Sequence, residues 1–121
     1  MTTTVDHIGI NASDYEKSKA FYAAALEPLG LKIMMDYGVT VGIGADFPFL
    51  WLSGGDPGHA HLALRADNRK LVDAFYAAAI KAGGKDNGKP GLRTEYSENY
   101  YAAFVLDPDG HNIEAVCHAP A

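Results

Sequence analysis

Cysteine, tryptophan and clustered positive charge are all scarce in this chain. It has one Cys, one Trp, and ten Lys and Arg against 15 Asp and Glu, which gives a formal net charge of −5. Because Cys117 has no intrachain partner, the sequence excludes a disulfide-stapled secreted domain, and we expect a reducing, cytoplasmic location. No run of Lys or Arg occurs, so no nucleic-acid partner and no anionic membrane surface is predicted.

Long apolar runs are also absent. No stretch approaches the roughly 20 apolar residues that cross a bilayer, so we expect no membrane partner. The opening MTTTVDHIGI has no basic start followed by an apolar run, which predicts no secretory signal. The 121 residues, of which 48% are hydrophobic and 21% charged, suit a single globular domain with a sizeable core.

What the chain does contain is a repeat. The hexamer AFYAAA occurs at residues 20–25 and again at residues 74–79, an offset of 54. At the same offset His7 matches His61, so that each hexamer has a histidine 13 residues upstream. This coincidence favours an internal duplication, in which each half is a small supersecondary unit that cannot bury its apolar face alone.

Each half is predicted to begin with a strand. Residues 5–12 and 59–66 both alternate aliphatic residues with small or polar ones. Side chains of a strand point alternately to its two faces, so the aliphatic side chains share one face. His7 and His61 are therefore each expected on the other face of their strand, away from the helix-covered core.

Helices and further strands complete each half. Amphipathic stretches follow both first strands, and Ser13 with Glu16 predicts a capping box at the first helix. Apolar runs between Gly, Asp and Pro turns predict three more strands per half. They are residues 31–36, 39–44 and 49–53, then residues 85–87, 100–106 and 111–118. The predicted fold class is α+β, with two tandem βαβββ modules at about residues 4–56 and 58–118 of a single domain, 1–121.

The paired modules carry a family resemblance. Together with the H-x-G start at His7 and the ending DPDGHNIE at residues 107–114, they resemble the vicinal oxygen chelate superfamily. This group includes glyoxalase I, extradiol dioxygenases, fosfomycin-resistance transferases and bleomycin-binding proteins. The resemblance covers Val5 to His118. It implies sheets that curl into a cup with the helices outside, and metal ligands that point into the cup from the first and last strands of the modules.

Three residues match the ligand positions of the family, namely His7, His61 and Glu114. Two imidazoles and one carboxylate can hold a divalent ion and leave positions for water and substrate. The resemblance implies one ion per site, either Fe, Mn, Zn, Ni or Co, and Glu114 is also the expected catalytic residue. Trp51 stands where glyoxalase I has a second carboxylate, so strict glyoxalase I chemistry is disfavoured.

Additional candidates for acid–base chemistry follow from residue type alone: His59, Tyr96 and His111. By contrast, Asp107 to Gly110 is interpreted as a turn without a catalytic role, since Pro fixes φ and Gly tolerates positive φ. Cys117 has the opposite strand parity to Glu114, and we expect it to pack away from the metal.

The substrate pocket is predicted from two parts of the chain. Phe49 and Trp51 would form an apolar wall if their strand follows the module pattern. A polar loop at residues 88–99 has no counterpart in the first half, and loops of this length in compact domains are usually functional or disordered. We expect it to form a wall of the metal site, with Arg93 and Tyr96 binding an anionic or phenolic oxygen.

Two classes of function stay open at this point. The first is a metal-dependent dioxygenase or lyase/isomerase that chelates a small oxygenated substrate. The alternative is a metal-free binding protein of the bleomycin-resistance type. The complete ligand trio favours the enzyme, because the binding proteins generally lack it.

A homodimer is also expected, since paired modules leave sheet edges and helix faces that one chain cannot cover. The predicted partner face consists of Lys17, Ala20, Ala24, Ala74 and Ala78. Whether the cup closes within one chain or across the dimer is left open by the sequence.

Overall fold

The structure is a computed structural model that describes residues 5–121. Its first module consists of β1 (Ile8–Ala12), α1 (Tyr15–Ala25), a short 3-10 turn (Glu27–Leu29), β2 (Lys32–Asp36), β3 (Thr40–Gly44) and β4 (Pro48–Gly54). Its second module consists of β5 (His61–Arg65), α2 (Arg69–Lys81), β6 (Lys85–Leu92), β7 (Tyr101–Leu106) and β8 (Asn112–Cys117). The predicted α+β fold of two βαβββ modules is confirmed.

Each module forms one four-stranded sheet, in the order β1-β4-β3-β2 and, correspondingly, β5-β8-β7-β6. The first strand of each module runs parallel to its last strand, and the other neighbours are antiparallel. This topology places the two ends of a module side by side. Gly9 therefore lies opposite Trp51, and Ala63 lies opposite Glu114.

The helices cover one face of each sheet. α1 buries Phe21, Tyr22 and Ala25, and α2 buries Val72 and Phe75. These side chains share one hydrophobic core with aliphatic strand residues, among them Ile10, Leu52, Leu64 and Ile113. Each large apolar side chain buried in this way contributes about 1.5–3 kcal/mol. The strand alternation predicted from the sequence is thus confirmed, and the second face of each sheet is open.

Both described α-helices are short, the longer having 13 residues. No helix within residues 5–121 is long and apolar enough to cross a membrane.

The predicted capping box at the first helix is wrong. Asp14 is the N-cap of α1, and its carboxylate accepts a hydrogen bond from the backbone N–H of Lys17 at 3.2 Å. Ser13 instead donates its backbone N–H, at 3.0 Å, and its hydroxyl to the carboxylate of Asp109 in the second module. In a capping box the Glu16 carboxylate would accept the backbone N–H of Ser13, but here the Asp109 carboxylate accepts both donors of Ser13.

The predicted loop at residues 88–99 is also partly wrong. β6 continues to Leu92, so only residues 93–100 connect it to β7. The glycines and the proline of this segment suggest a loop. In the structure they lie in a paired strand whose register is irregular at two places. The register shifts between Asp86 and Gly88 and again between Gly88 and Gly91. Gly88 has φ of +152°, a backbone conformation that other residues rarely adopt.

The segment DPDGH forms a turn, as predicted, and this turn is tied to the first module. The carboxylate of Asp107 accepts hydrogen bonds from the backbone N–H groups of Asp109 and His111 at 2.9 and 2.8 Å. Its second oxygen accepts the hydroxyl of Tyr22 on α1 at 2.6 Å. Burial, followed by the neighbouring Asp107 carboxylate, raises the pKa of Tyr22. The phenol therefore remains a donor to Asp107 at neutral pH.

His111 joins the two modules through both of its ring nitrogens. Its Nδ1 accepts a hydrogen bond from the backbone N–H of Ala60 at 3.0 Å, just before β5. Its Nε2 then carries the proton and donates it to the carbonyl oxygen of Asn11 on β1, also at 3.0 Å. The imidazole is buried, so these two backbone groups depend on it. His111 therefore holds the start of one module against the first strand of the other.

Candidate metal centre

A buried carboxylate and an exposed imidazole meet on the open face of the second sheet. Glu114 lies on β8 between Ala63 of β5 and Phe104 of β7. Its side chain is only 2% exposed, whereas that of His61 is 53% exposed. The Oε1 atom of Glu114 lies 2.9 Å from Nε2 of His61. The small Ala63 beside them leaves this space open.

The second oxygen of Glu114 accepts a hydrogen bond from Tyr100, a residue that was not predicted to belong to the site. The Tyr100 hydroxyl is the donor, and Oε2 of Glu114 is the acceptor. Burial, and then this hydrogen bond, raise the pKa of Tyr100 to about 12. The phenol is therefore protonated at neutral pH. Strand parity alone puts at most one of the adjacent residues Tyr100 and Tyr101 on the face of the cup and does not select which.

His7 does not join this pair within one chain. It precedes β1, its side chain is 59% exposed, and its Nδ1 lies 2.6 Å from the carboxylate of Asp6. In the part of the chain that the structure describes, no group of three or more His, Cys, Asp or Glu side chains is arranged to hold a metal ion. The donor types at His61 and Glu114 suit a divalent ion, but protein metal sites of this kind use three ligands. The three-residue site remains a prediction.

The guanidinium group of Arg93 donates its hydrogen bonds to backbone carbonyl oxygens. One terminal nitrogen of its guanidinium donates to the carbonyl oxygens of Gly91 and Ala102 at 2.7 and 2.6 Å. The other donates to the carbonyl oxygen of Lys89 at 2.8 Å, and the group lies 5.2 Å from the ring centre of Phe104. These contacts tie β6 to β7. We therefore assign Arg93 to the joint between these strands and not to a substrate oxygen.

The three acid–base candidates differ in their position. Tyr96 is 62% exposed and packs edge-on against Tyr100, with the ring centres 5.1 Å apart. This contact puts the connection between β6 and β7 on the Glu114 side of the domain. His59 is exposed, two residues before β5. His111 is buried with both ring nitrogens bonded to the backbone, so it has no free nitrogen for a substrate.

The open face of the first sheet is apolar and aromatic. Trp51 lies between Gly9 and Gly42 on the neighbouring strands, and its ring is nearly parallel to that of Tyr37, with centres 6.2 Å apart. A Cβ atom at Gly42 would come within 2.8 Å of the indole, so a glycine is needed beneath it. Phe49 is half-buried and packs at the edge of the core. The exposed apolar side chains of this module include Met35, Val39 and Phe47 as well as Tyr37.

The alanines of the two helices line a groove of about 490 Å³ on the other side of the domain. Its lining consists of Ala23, Ala24, Glu27, Ala78, Lys81 and Ala82. α1 and α2 contact one another within the chain beside this groove. None of the predicted metal or substrate residues lines it, so this groove is separate from the candidate centre.

Comparisons with known proteins agree with this architecture. A family model described as "Glyoxalase/Bleomycin resistance protein/Dioxygenase superfamily" matches residues 4–115. A glyoxalase/bleomycin resistance protein from Albidiferax ferrireducens superimposes with a TM-score of 0.81 at 27% identity, covering 94% of this chain and 98% of that one. No curated protein matches the chain significantly.

Two more distant structures resemble the fold. One is a glyoxalase/bleomycin resistance protein/dioxygenase family enzyme from Burkholderia phytofirmans, with a TM-score of 0.75, 16% identity, and coverage of 97% of this chain and 100% of that one. The other is a lactoylglutathione lyase from Agrobacterium tumefaciens, with a TM-score of 0.71, 17% identity, and coverage of 96% and 94%. At these identities the likeness extends to the fold and no further.

Proposed function

Because the chain belongs to the Glyoxalase/Bleomycin resistance protein/Dioxygenase superfamily, we propose that it is a divalent-metal-dependent enzyme of dioxygenase or lyase/isomerase type. Its substrate is a small molecule with neighbouring oxygen atoms. The observation that carries this proposal is the pair of His61 and Glu114, with 2.9 Å between donor atoms on an open sheet face. A carboxylate that is 2% exposed is costly to bury unless a cation or hydrogen bonds compensate for it.

The proposed site is completed by a second copy of the chain. His7 is exposed just before the first strand of the first sheet, and the pair of His61 and Glu114 lies on the second sheet, so one chain brings together only two of the three ligands. The apolar open face around Trp51 and Tyr37 is a surface of the kind that a partner subunit covers. In a twofold-symmetric dimer each subunit covers this face of the other. In this homodimer, His7 of the partner subunit joins His61 and Glu114 in each of two equivalent sites.

The chemistry of the site follows from its donors. A bound divalent ion would supply Lewis acidity to a substrate oxygen. His61 presents a ring nitrogen and Glu114 one carboxylate oxygen, while Tyr100 occupies the second oxygen. Trp51 has no atom that could act as a ligand or accept a proton at the position of the second glyoxalase I carboxylate. This departure supports dioxygenase or another lyase/isomerase chemistry over the glyoxalase I reaction.

Metal analysis tests the proposal directly. Protein purified without chelators or a histidine tag should contain about one divalent ion per chain, and His61→Ala and Glu114→Gln should lose it. His59→Ala is the matched control, because His59 is an exposed histidine just outside β5. Equal metal content in all four proteins would place any metal elsewhere and would end the enzyme proposal. Catechols and 2-oxo compounds are the first substrates to screen on the loaded protein.

A metal-free small-molecule binding protein is the second candidate. It is favoured by the near-parallel pair of the half-buried Trp51 and the exposed Tyr37, since flat aromatic surfaces of this kind bind ligands by stacking. This alternative is supported if the parent chain contains no metal but shows a ligand-induced change in the fluorescence of Trp51 that Tyr37→Ala abolishes. For either function we also propose a cytoplasmic location, because the buried Cys117 is a free thiol.

A further inference from the structure

Tyr100 has a role that rests on the proposed function. We infer that Tyr100 is a positioning residue, which fixes Glu114 so that it offers a metal ion one oxygen atom and not two. A carboxylate can bind a metal through either one or both of its oxygens. In this chain the hydroxyl of Tyr100, the residue immediately before β7, determines how many oxygens of Glu114 are free for a metal.

The geometry divides the two oxygens of Glu114 between different partners. Oε2 accepts the Tyr100 hydroxyl, and Oε1 points toward Nε2 of His61 at 2.9 Å. Any ion that binds His61 therefore meets Oε1 first. To bind through both oxygens, the ion would have to displace the phenol, and the buried carboxylate would lose a charge-assisted hydrogen bond.

The ring of Tyr100 is itself held in place. Tyr96 packs against it edge-on, with ring centres 5.1 Å apart, and His118 does the same from another side at 5.3 Å. The ring is half-buried, so its hydroxyl cannot leave Glu114 without disturbing these contacts. Partners that orient a metal ligand in this way typically change metal affinity by about 10- to 100-fold when they are removed.

The test compares Tyr100→Phe with Tyr101→Phe. Both changes remove one hydroxyl from adjacent residues and keep the ring. The Tyr101 hydroxyl donates to Asp73 on α2 at 2.7 Å and has no part in the Glu114 contacts. Calorimetric titration with Co(II) should give a Kd for Tyr100→Phe that is about 10- to 100-fold weaker than that of the parent, while Tyr101→Phe stays within about twofold.

The Co(II) absorption spectrum provides a second readout that general loss of stability would not move. In Tyr100→Phe both oxygens of Glu114 become available, so the coordination number should rise and the visible bands should weaken. Parent-like affinity and spectrum in Tyr100→Phe would overturn the inference while leaving the proposed function intact. A parent protein that binds no Co(II) would overturn both.

A further variant covers the case in which Tyr100→Phe does not fold. Tyr96→Leu removes an exposed packing partner of the Tyr100 ring but keeps the hydroxyl. A weaker Co(II) affinity in this variant, with an unchanged circular dichroism spectrum, supports the positioning role. Unchanged Co(II) affinity would contradict it.

Discussion

At the scale of single residues, strand parity determines the face on which a side chain lies, whereas its burial depends on the residues that pack over it. Alternation along β5 predicts that His61 faces away from the helices, and the structure confirms this orientation, with Glu114 beside His61 on the same face. The sequence could not predict that Glu114 is buried on an open face. Its cover comes from Tyr100, outside the regular strands, and from Phe104, the neighbour on β7. Such contacts depend on the path of the connection between β6 and β7.

Tyr22 provides a prediction at this scale. Tyr22→Phe removes the hydrogen bond to the buried Asp107 carboxylate and should lower the free energy of unfolding by about 1.5–3 kcal/mol at pH 7, the usual value for a bond to a charged group. Tyr15→Phe on the same helix is the control. The Tyr15 hydroxyl is buried and has no hydrogen-bond partner among residues 5–121, so its removal should be neutral or stabilising. Urea denaturation measures both, and equal effects would contradict the assignment.

The same pair predicts a dependence on pH. The folded state raises the pKa of Tyr22 above its value in the unfolded chain, which is near 10. The stabilisation is therefore complete below about pH 10 and is lost as the pH rises above it, because the unfolded chain then releases the proton more readily. The difference in unfolding free energy between the parent and Tyr22→Phe should narrow above pH 10. A constant difference from pH 7 to pH 11 would exclude this linkage.

Helices and strands could be predicted from the sequence where the pattern that specifies them is local. The two helices and the βαβββ order of elements along the chain follow from periodicity and from the repeat, and both are present as predicted. The errors occurred where a distant partner decided the outcome. Ser13 contacts Asp109, which lies 96 residues away in the sequence, and this contact replaces the predicted capping box. Similarly, residues 88–92 resemble a loop but become a strand because β7 offers them hydrogen bonds.

The DPDGH turn supplies the prediction for this scale. His111→Ala leaves the backbone N–H of Ala60 and the carbonyl of Asn11 without their buried partner, and each such group costs about 1–3 kcal/mol. We expect a loss of about 2–4 kcal/mol in urea denaturation and faster hydrogen exchange at Ala60. The exposed His59→Ala is the control and should stay near the parent value. Parent-like stability of His111→Ala would mean that the modules are held together without this imidazole.

For the whole molecule, the repeat predicted two modules but not how they are arranged. In one chain the helices α1 and α2 contact each other, and the two sheets are separate four-stranded units. The cup predicted from the family resemblance therefore requires that the open face of one module meet a second surface. This arrangement depends on the short connection between β4 and β5 and on the inter-module contacts of Ser13 and His111, neither of which has a periodic signal in the sequence.

Mixed dimers test whether the metal site is shared between two copies. In a dimer of His7→Ala with Glu114→Gln, one site combines the intact His7 of one copy with the intact His61 and Glu114 of the other, while the second site lacks both mutated ligands. Each variant alone should bind metal weakly. After unfolding and joint refolding in equal amounts, random pairing should restore tight Co(II) binding at about one site in four. Refolding His61→Ala with Glu114→Gln is the control, because both ligands belong to the same copy and no mixed site is complete. Restoration in this control, or none in the first mixture, would exclude a site formed by His7 of the partner subunit.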